Sequence, residues 1–172
     1  MGAEKLDEEK VATKLDGDFL NPFISATKNV LQTQANTDLS AGKPYIKRLG
    51  DVDALTEIAG VISLTCEQFK GSIAVCFNSE VFLNIYENMV GEKHEEITED
   101  VQDAAGEILN IIFGQAKTVL KGKNYVLERA IPTVLVGEKL RIRYKSKIPT
   151  IVIPFETKTG TFHIEIIVDL DN

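Results

Sequence analysis

The apolar positions of this chain change period several times, and the changes divide it into helices and strands. In "DFLNPFISATKNVLQTQA", Phe19, Phe23, Ala26, Val30 and Leu31 recur at helical spacing. The spacing predicts a first helix from about residue 21, capped by Asp18 or Asn21, because Pro22 is tolerated only in a first turn. "GKPYIKRLGDV", "IAGVISLTC" and "GSIAVCF" then read as extended segments. The last two are separated by "EQFKG", whose glycine suits a short hairpin connection.

Helical spacing returns in "SEVFLNIYENMV", where Val81, Phe82, Ile85 and Met89 form one apolar face. Asn78 and Ser79 can cap its start, and Gly91 stands where a helix usually ends. After the acidic connection "EKHEEITED", Thr98 is a candidate N-cap, with Glu99 and Asp100 in a first turn that favours negative charge. A third helix should then run to about Leu120. Beyond it "YVLERA", "PTVLVG", "KLRIRYKS", "TIVIPFET" and "TFHIEIIVDL" read as strands, with "ETKTGTF" as a hairpin joining the last two. The pattern therefore predicts an α+β domain, about three helices packed on a largely antiparallel sheet. Residues 1–17 are polar and charge-rich and read as a flexible lead-in, leaving 18–172 as a single domain.

On a helical wheel Val101, Ala105, Ile108, Ile112, Ala116 and Val119 collect on one arc of the third helix, the face expected against a sheet. Asp103, Glu107, Asn110 and Gly114 follow one another at steps of 4, 3 and 4 residues on the opposite side, forming a ridge that should face solvent. Gly106 lies beside the ridge. A glycine in a helix interior costs about 0.5–1 kcal/mol relative to alanine, so Gly106 and Gly114 need a reason. Either they let another protein's surface approach closely, or they let the helix sit tightly on a neighbouring element of the same chain. Leu109, Ile111 and Phe113 make the helix more apolar around its circumference than a one-sided surface helix requires, which predicts contact on two sides.

Composition narrows the function. The chain has 172 residues, 44% of them hydrophobic and 26% charged, the balance of one globular domain with a sizeable core. Its formal net charge of -7 opposes a phosphate backbone, so nucleic acid is not an expected partner. Cys66 and Cys76 lack the spacing of a zinc or thioredoxin-type site and read as buried thiols, with a disulfide as the alternative. The first residues carry no apolar signal-peptide core, and no run approaches the roughly 18 apolar residues of a membrane helix. A cytoplasmic protein without a membrane partner is the expectation. His94 and His163 stand far apart without a partner pattern, and Ser63, Thr65 and Ser72 lie in strand runs without a nucleophile elbow, so a self-contained hydrolase is not indicated.

"DAAGEILNIIFGQAK", with Asp103, Glu107 and Asn110 in sequence, resembles the signature helix of the CheC/CheX/FliY phosphatases of bacterial chemotaxis. "NPFISATKNVL", "GKPY", "GSIAVCF", "PTVLVG" and "IVIPFETKTGTFHIEI" are similar to the CheX branch in the same order, so the resemblance covers roughly residues 19–169. It implies a CheC-like two-layer fold and hydrolysis of the phosphoryl-aspartate of a CheY-type response regulator. The CheC branch carries its Glu and Asn on two pseudo-symmetric helices. Here Asp18 would be followed by Pro22 and Ser25 in those places, which favours a CheX-like protein with a single site. The resemblance further implies a homodimer, no cofactor on this chain, and Mg2+ on the partner regulator.

That chemistry needs a water held in line with the P–O bond and charge stabilisation on the phosphoryl group. A carboxamide can accept a hydrogen from the water while donating to nearby oxygens, which assigns the catalytic water to Asn110. A carboxylate can pair with the regulator's lysine and set the register, which suits Glu107. Asp103, Gly106 and Gly114 are the expected partner-binding positions around them. The alternative is a non-catalytic module of the same fold that binds a response regulator or serves a flagellar switch.

Overall fold

A computed structural model describes residues 15–48, 51, 53–143 and 149–169. Helix α1 spans Gly17–Ala35. It is followed by the short strands β1 (Leu39–Ala41) and β2 (Tyr45–Lys47) and the long hairpin β3 (Ile58–Cys66) and β4 (Phe69–Phe77). Helices α2 (Ser79–Val90) and α3 (Glu99–Lys121) come next, then β5 (Thr133–Val136), β6 (Thr150–Thr157) and β7 (Gly160–Asp169). The strands form one sheet of order β1-β6-β7-β4-β3-β5, with β2 also pairing β6, and every pairing is antiparallel. The expected α+β architecture, helices on an antiparallel sheet, is the one observed.

Alternation along the central strands sorts the side chains. Ile58, Ile62 and Leu64 of β3, Ile73, Val75 and Phe77 of β4, and Phe162, Ile164, Ile166 and Val168 of β7 join one buried cluster with the apolar faces of all three helices. Phe77, Phe162 and Phe155 stack across neighbouring strands at centroid distances of 4.7 and 5.0 Å. Ala59, Ala74 and Cys76 pack in a separate small cluster with Leu140 and Ile142, on the sheet face turned away from the helices.

Several elements differ from the sequence expectation. α1 begins at Gly17, not near residue 21, because Asp16 is its N-cap and accepts from the N–H groups of Asp18 and Phe19 at 2.9 and 3.3 Å. Pro22 consequently lies inside the helix and is buried. Its ring occupies the core face, so packing offsets the single backbone bond it removes. Leu15, within the expected lead-in, is 4% exposed and belongs to the core; residues 1–14 lie outside the described residues.

The β3–β4 turn is Glu67–Gln68, with Cys66 opposite Phe69. Gly71 is therefore not the turn glycine. It lies within β4, where a Cβ would sit 2.0 Å from the carbonyl oxygen of Ile167 in β7. "YVLERA" is not a strand: it makes one backbone bond to β3, Glu128 N–H to Thr65 O at 2.8 Å, before β5 starts regular pairing. In "KLRIRYKS", residues 139–143 are also non-strand, with Leu140 N–H donating to Thr56 O at 2.8 Å, and 144–146 lie outside the described residues.

α2 follows the sequence expectation closely. Asn78 caps its start by accepting from Val81 N–H at 2.9 Å, and Gly91 ends it in the left-handed region at φ 78°.

Candidate functional site: the outward face of α3

α3 is pressed onto its own chain on two sides. Val101, Ala105, Ile108, Leu109, Ile112, Phe113, Ala116 and Leu120 are buried, against β3 below and α1 alongside. Contact on two sides was the expectation from Leu109 and Phe113, and the second side is α1. Lys123 Nζ binds Asp18 Oδ1 at 2.6 Å and Asn29 Nδ2 donates to Gln115 Oε1 at 3.0 Å, so the two helices run antiparallel and are tied at two levels. Val119, placed on the core arc by the wheel, is 51% exposed, and Leu120 is buried in its stead. A helix wrapped on two sides buries a wider arc than one stripe, and that arc takes in Leu120, whose carbonyl accepts from Tyr125 N–H at 3.0 Å.

The ridge is as expected. Asp103, Glu107, Asn110 and Gly114 are all exposed. Glu107 and Asn110 form no hydrogen bond or ion pair among the described residues, so both head groups are available to a ligand. Of the two reasons left open for the glycines, close packing on the same chain applies to Gly106 and not to Gly114. At Gly114 a Cβ would meet nothing within 4 Å. Gly106 is half-buried, and a Cβ there would lie 3.2 Å from Cγ2 of Val134 on β5. Thr98 has the extended backbone of an N-cap but makes no side-chain cap bond, and Glu99, Asp100 and Lys121 complement the helix dipole.

A second polar constellation escaped sequence reasoning. On the far face of the sheet Glu165 is 3% exposed, and its Oε1 receives Lys47 Nζ at 2.8 Å and lies 3.4 Å from His163 Nε2. Lys47 also binds Asp53, which Arg141 approaches at 3.6 Å. Burial alone would raise the Glu165 carboxyl, but the bonds from His163 and Lys47 outweigh it and hold it below the ordinary carboxylate range. Burial likewise opposes the Lys47 charge, and its two carboxylate partners more than compensate, so its ammonium titrates above the usual range.

The Cys76 thiol is pushed far up by burial and by the Glu165 charge, which leaves it inert as a nucleophile. Cys66 and Cys76 are both free thiols. The one available signal was that His163 and Glu165 alternate with Phe162 and Ile164 in β7. Lys47, 118 positions from Glu165, carries no spacing cue. Among the described residues no group of three or more His, Cys, Asp or Glu side chains converges to hold a metal ion.

The fold and site thus define an antiparallel α+β protein with an open helix face that bears an unpartnered carboxylate and carboxamide. Comparisons with known proteins narrow the class. The family described as "Chemotaxis phosphatase CheX" matches residues 54–156, more than half of the chain, and the chain belongs to that family. A CheC-like superfamily protein from Shewanella sp. PV-4 is 39% identical, with a TM-score of 0.83 over 90% of this chain and 99% of that one. Chemotaxis protein CheX from Vibrio vulnificus is 35% identical, with a TM-score of 0.82 over 88% and 99%.

A CheX–CheY–BeF3–Mg2+ complex from Borrelia burgdorferi shares the fold at 22% identity, with a TM-score of 0.73 over 87% of this chain and 97% of that one. No curated protein sequence matches the chain. Among the described residues no helix is long and apolar enough to cross a membrane.

Proposed function

We propose that this protein hydrolyses the phosphoryl-aspartate of a CheY-type response regulator, resetting a chemotaxis or related two-component signal. The observation that carries the reading is the pairing of Glu107 and Asn110 on one exposed helix face of a CheX-family chain. Three residues apart on α3, they are delivered together by a single rigid element. Asn110 enters the regulator's active site and orients a water, its carbonyl accepting one of the water's hydrogens. The water attacks phosphorus, the P–O bond to the aspartate breaks, and inorganic phosphate and a free carboxylate result. Glu107 pairs with the regulator's lysine and fixes the register.

The regulator's Mg2+ supplies charge neutralisation on the phosphoryl oxygens, and this chain adds none. Asp103 and Gly114 form the rim a partner rests on. Gly106 keeps the flank of Glu107 low. The CheX complex from Borrelia burgdorferi, solved with CheY, supports a partner of this kind.

A homodimer is part of the same proposal. β5 is an edge strand, and Leu135 and Val136 in it are 38% and 44% exposed, with Ile131, just before it, 82% exposed, an apolar border suited to a second copy. Light scattering at micromolar concentration tests it, a monomer mass counting against it. The phosphatase is tested by the time course of acyl-phosphate loss from purified phosphorylated regulators with and without the protein. Acceleration on at least one of the host's regulators is expected. Binding without acceleration would favour the non-catalytic module.

A further inference from the structure

We infer that Gly60 and Gly106 are positioning residues for this reaction, together seating α3 at the height where Glu107 and Asn110 meet a docked partner. The inference rests on the proposed function for its consequence in turnover, and on geometry alone for the seat itself. Gly60 of β3 and Val134 of β5 are cross-strand neighbours. Leu109 of α3 packs over Gly60: a Cβ there would lie 2.9 Å from Leu109 Cδ2, 3.3 Å from Leu109 Cβ and 3.6 Å from Ala105 O. Gly106 packs over Val134, with the 3.2 Å approach to Cγ2. Large thus meets small twice in adjacent places, with the glycine on the strand in one contact and on the helix in the other.

Neither glycine has a positive φ, so clearance and not backbone conformation is what each provides. The seat lies directly beneath the catalytic turn, since Gly106 adjoins Glu107 and Leu109 adjoins Asn110 in the chain.

Height matters because a partner cannot rest on one ridge alone. A specific interface covers about 800 Å² on each side, more than one helix face offers, so the regulator must also touch elements flanking α3. α1 lies nearest: its exposed Asn29 is bonded to Gln115, next to Gly114. Raising α3 against these neighbours displaces Asn110 relative to a partner they hold. The tip of Leu109 can change rotamer, but its Cβ moves only with the helix, so a methyl on Gly60 forces a shift of a few tenths of an ångström. Since a misplacement of about 1 Å can cost ~10²-fold in rate, the shift should cost roughly 3–10-fold.

The test is Gly60→Ala in the full-length protein, assayed on a phosphorylated regulator. kcat should fall roughly 3–10-fold with KM within about 2-fold of wild type, while circular dichroism reports a folded protein. In the second contact Gly106→Ala should lower kcat in the same way, and adding Val134→Ala, which removes the opposing Cγ2, should restore it to that of Val134→Ala alone. Unchanged kcat, or no recovery in the double variant, overturns the inference. If Gly60→Ala does not fold, the Gly106 and Val134 variants decide by the same criteria. Backbone amide shifts separate this inference from the functional reading. Gly60→Ala should move the signals of residues 105–110 and leave the β6–β7 pair in place, whether or not any regulator is turned over. Unmoved α3 signals overturn the seat even if the wild type is an active phosphatase.

Discussion

Lys47 on β2 donates to Oε1 of Glu165 on β7 at 2.8 Å, joining an edge strand to the sheet centre on the face away from the helices. Glu165 is buried, and its other oxygen, Oε2, has no hydrogen-bond partner among the described residues. The pair is therefore a necessity created by burial more than a source of net stability. Removal of Lys47 leaves the buried Glu165 carboxylate with His163, 3.4 Å away, as its remaining polar contact. Lys47→Met should destabilise by about 3 kcal/mol, the lower end for a broken buried pair because Lys47 itself is partly exposed. Urea unfolding at neutral pH measures this, and a loss under about 1 kcal/mol would contradict it.

The same pair predicts a pH dependence. The folded-state Glu165 carboxyl titrates below its ordinary value of 4.5, so its contribution is complete above that pH and is lost as pH falls through the lowered value. In Lys47→Met the largest influence left is burial, which raises the carboxyl. The acid-side loss of stability should therefore be smaller in the variant than in wild type. Urea midpoints measured from about pH 7 down to about pH 3 give the two slopes, and parallel slopes would show that Lys47 is not what holds Glu165 ionised.

Two adjacent residues at the end of α3 should behave in opposite ways. Leu120 is fully buried and Val119 is 51% exposed. Leu120→Ala should cost about 2–5 kcal/mol through the cavity it leaves, and Val119→Ala about 0.5 kcal/mol or less. Thermal or urea denaturation of the two variants distinguishes this arrangement from the reverse one that the wheel alone suggests.

Helix starts offer a similar contrast. Asp16 makes two cap bonds and Thr98 makes none through its side chain. Asp16→Ala should lose about 1 kcal/mol and Thr98→Ala only a few tenths. Equal losses in urea unfolding would mean that α1 does not start where Asp16 places it.

These contrasts show what could be read from the chain beforehand. Long periodic segments were legible: α2 with Asn78 and Gly91 at its ends, the β6–β7 hairpin, and the exposed Asp103–Glu107–Asn110–Gly114 ridge all follow from local spacing. The start of α1 was not, because the general rule that proline belongs in a first turn gave way to burial of Pro22 in the core. Gly71 looked like a turn residue, and only the path of β7 across β4 explains it. Gly60 and the Lys47–Glu165 pair were invisible for the same reason, since each is defined by a neighbour that tertiary structure brings from far along the chain. Within the candidate site, exposure of the ridge was readable, whereas the seat of Gly106 on Val134 was not.

The central claim is that Asn110 holds the hydrolytic water while Glu107 grips the partner. Glu107→Ala should weaken both complex formation and turnover. The most direct measurement is the first-order rate of acyl-phosphate loss from a cognate phosphorylated regulator, comparing wild type with Asn110→Ala at saturating protein. A rate lower by on the order of 10²–10³-fold, with the complex still forming, is the expected result. Dephosphorylation by Asn110→Ala at the wild-type rate would contradict the account.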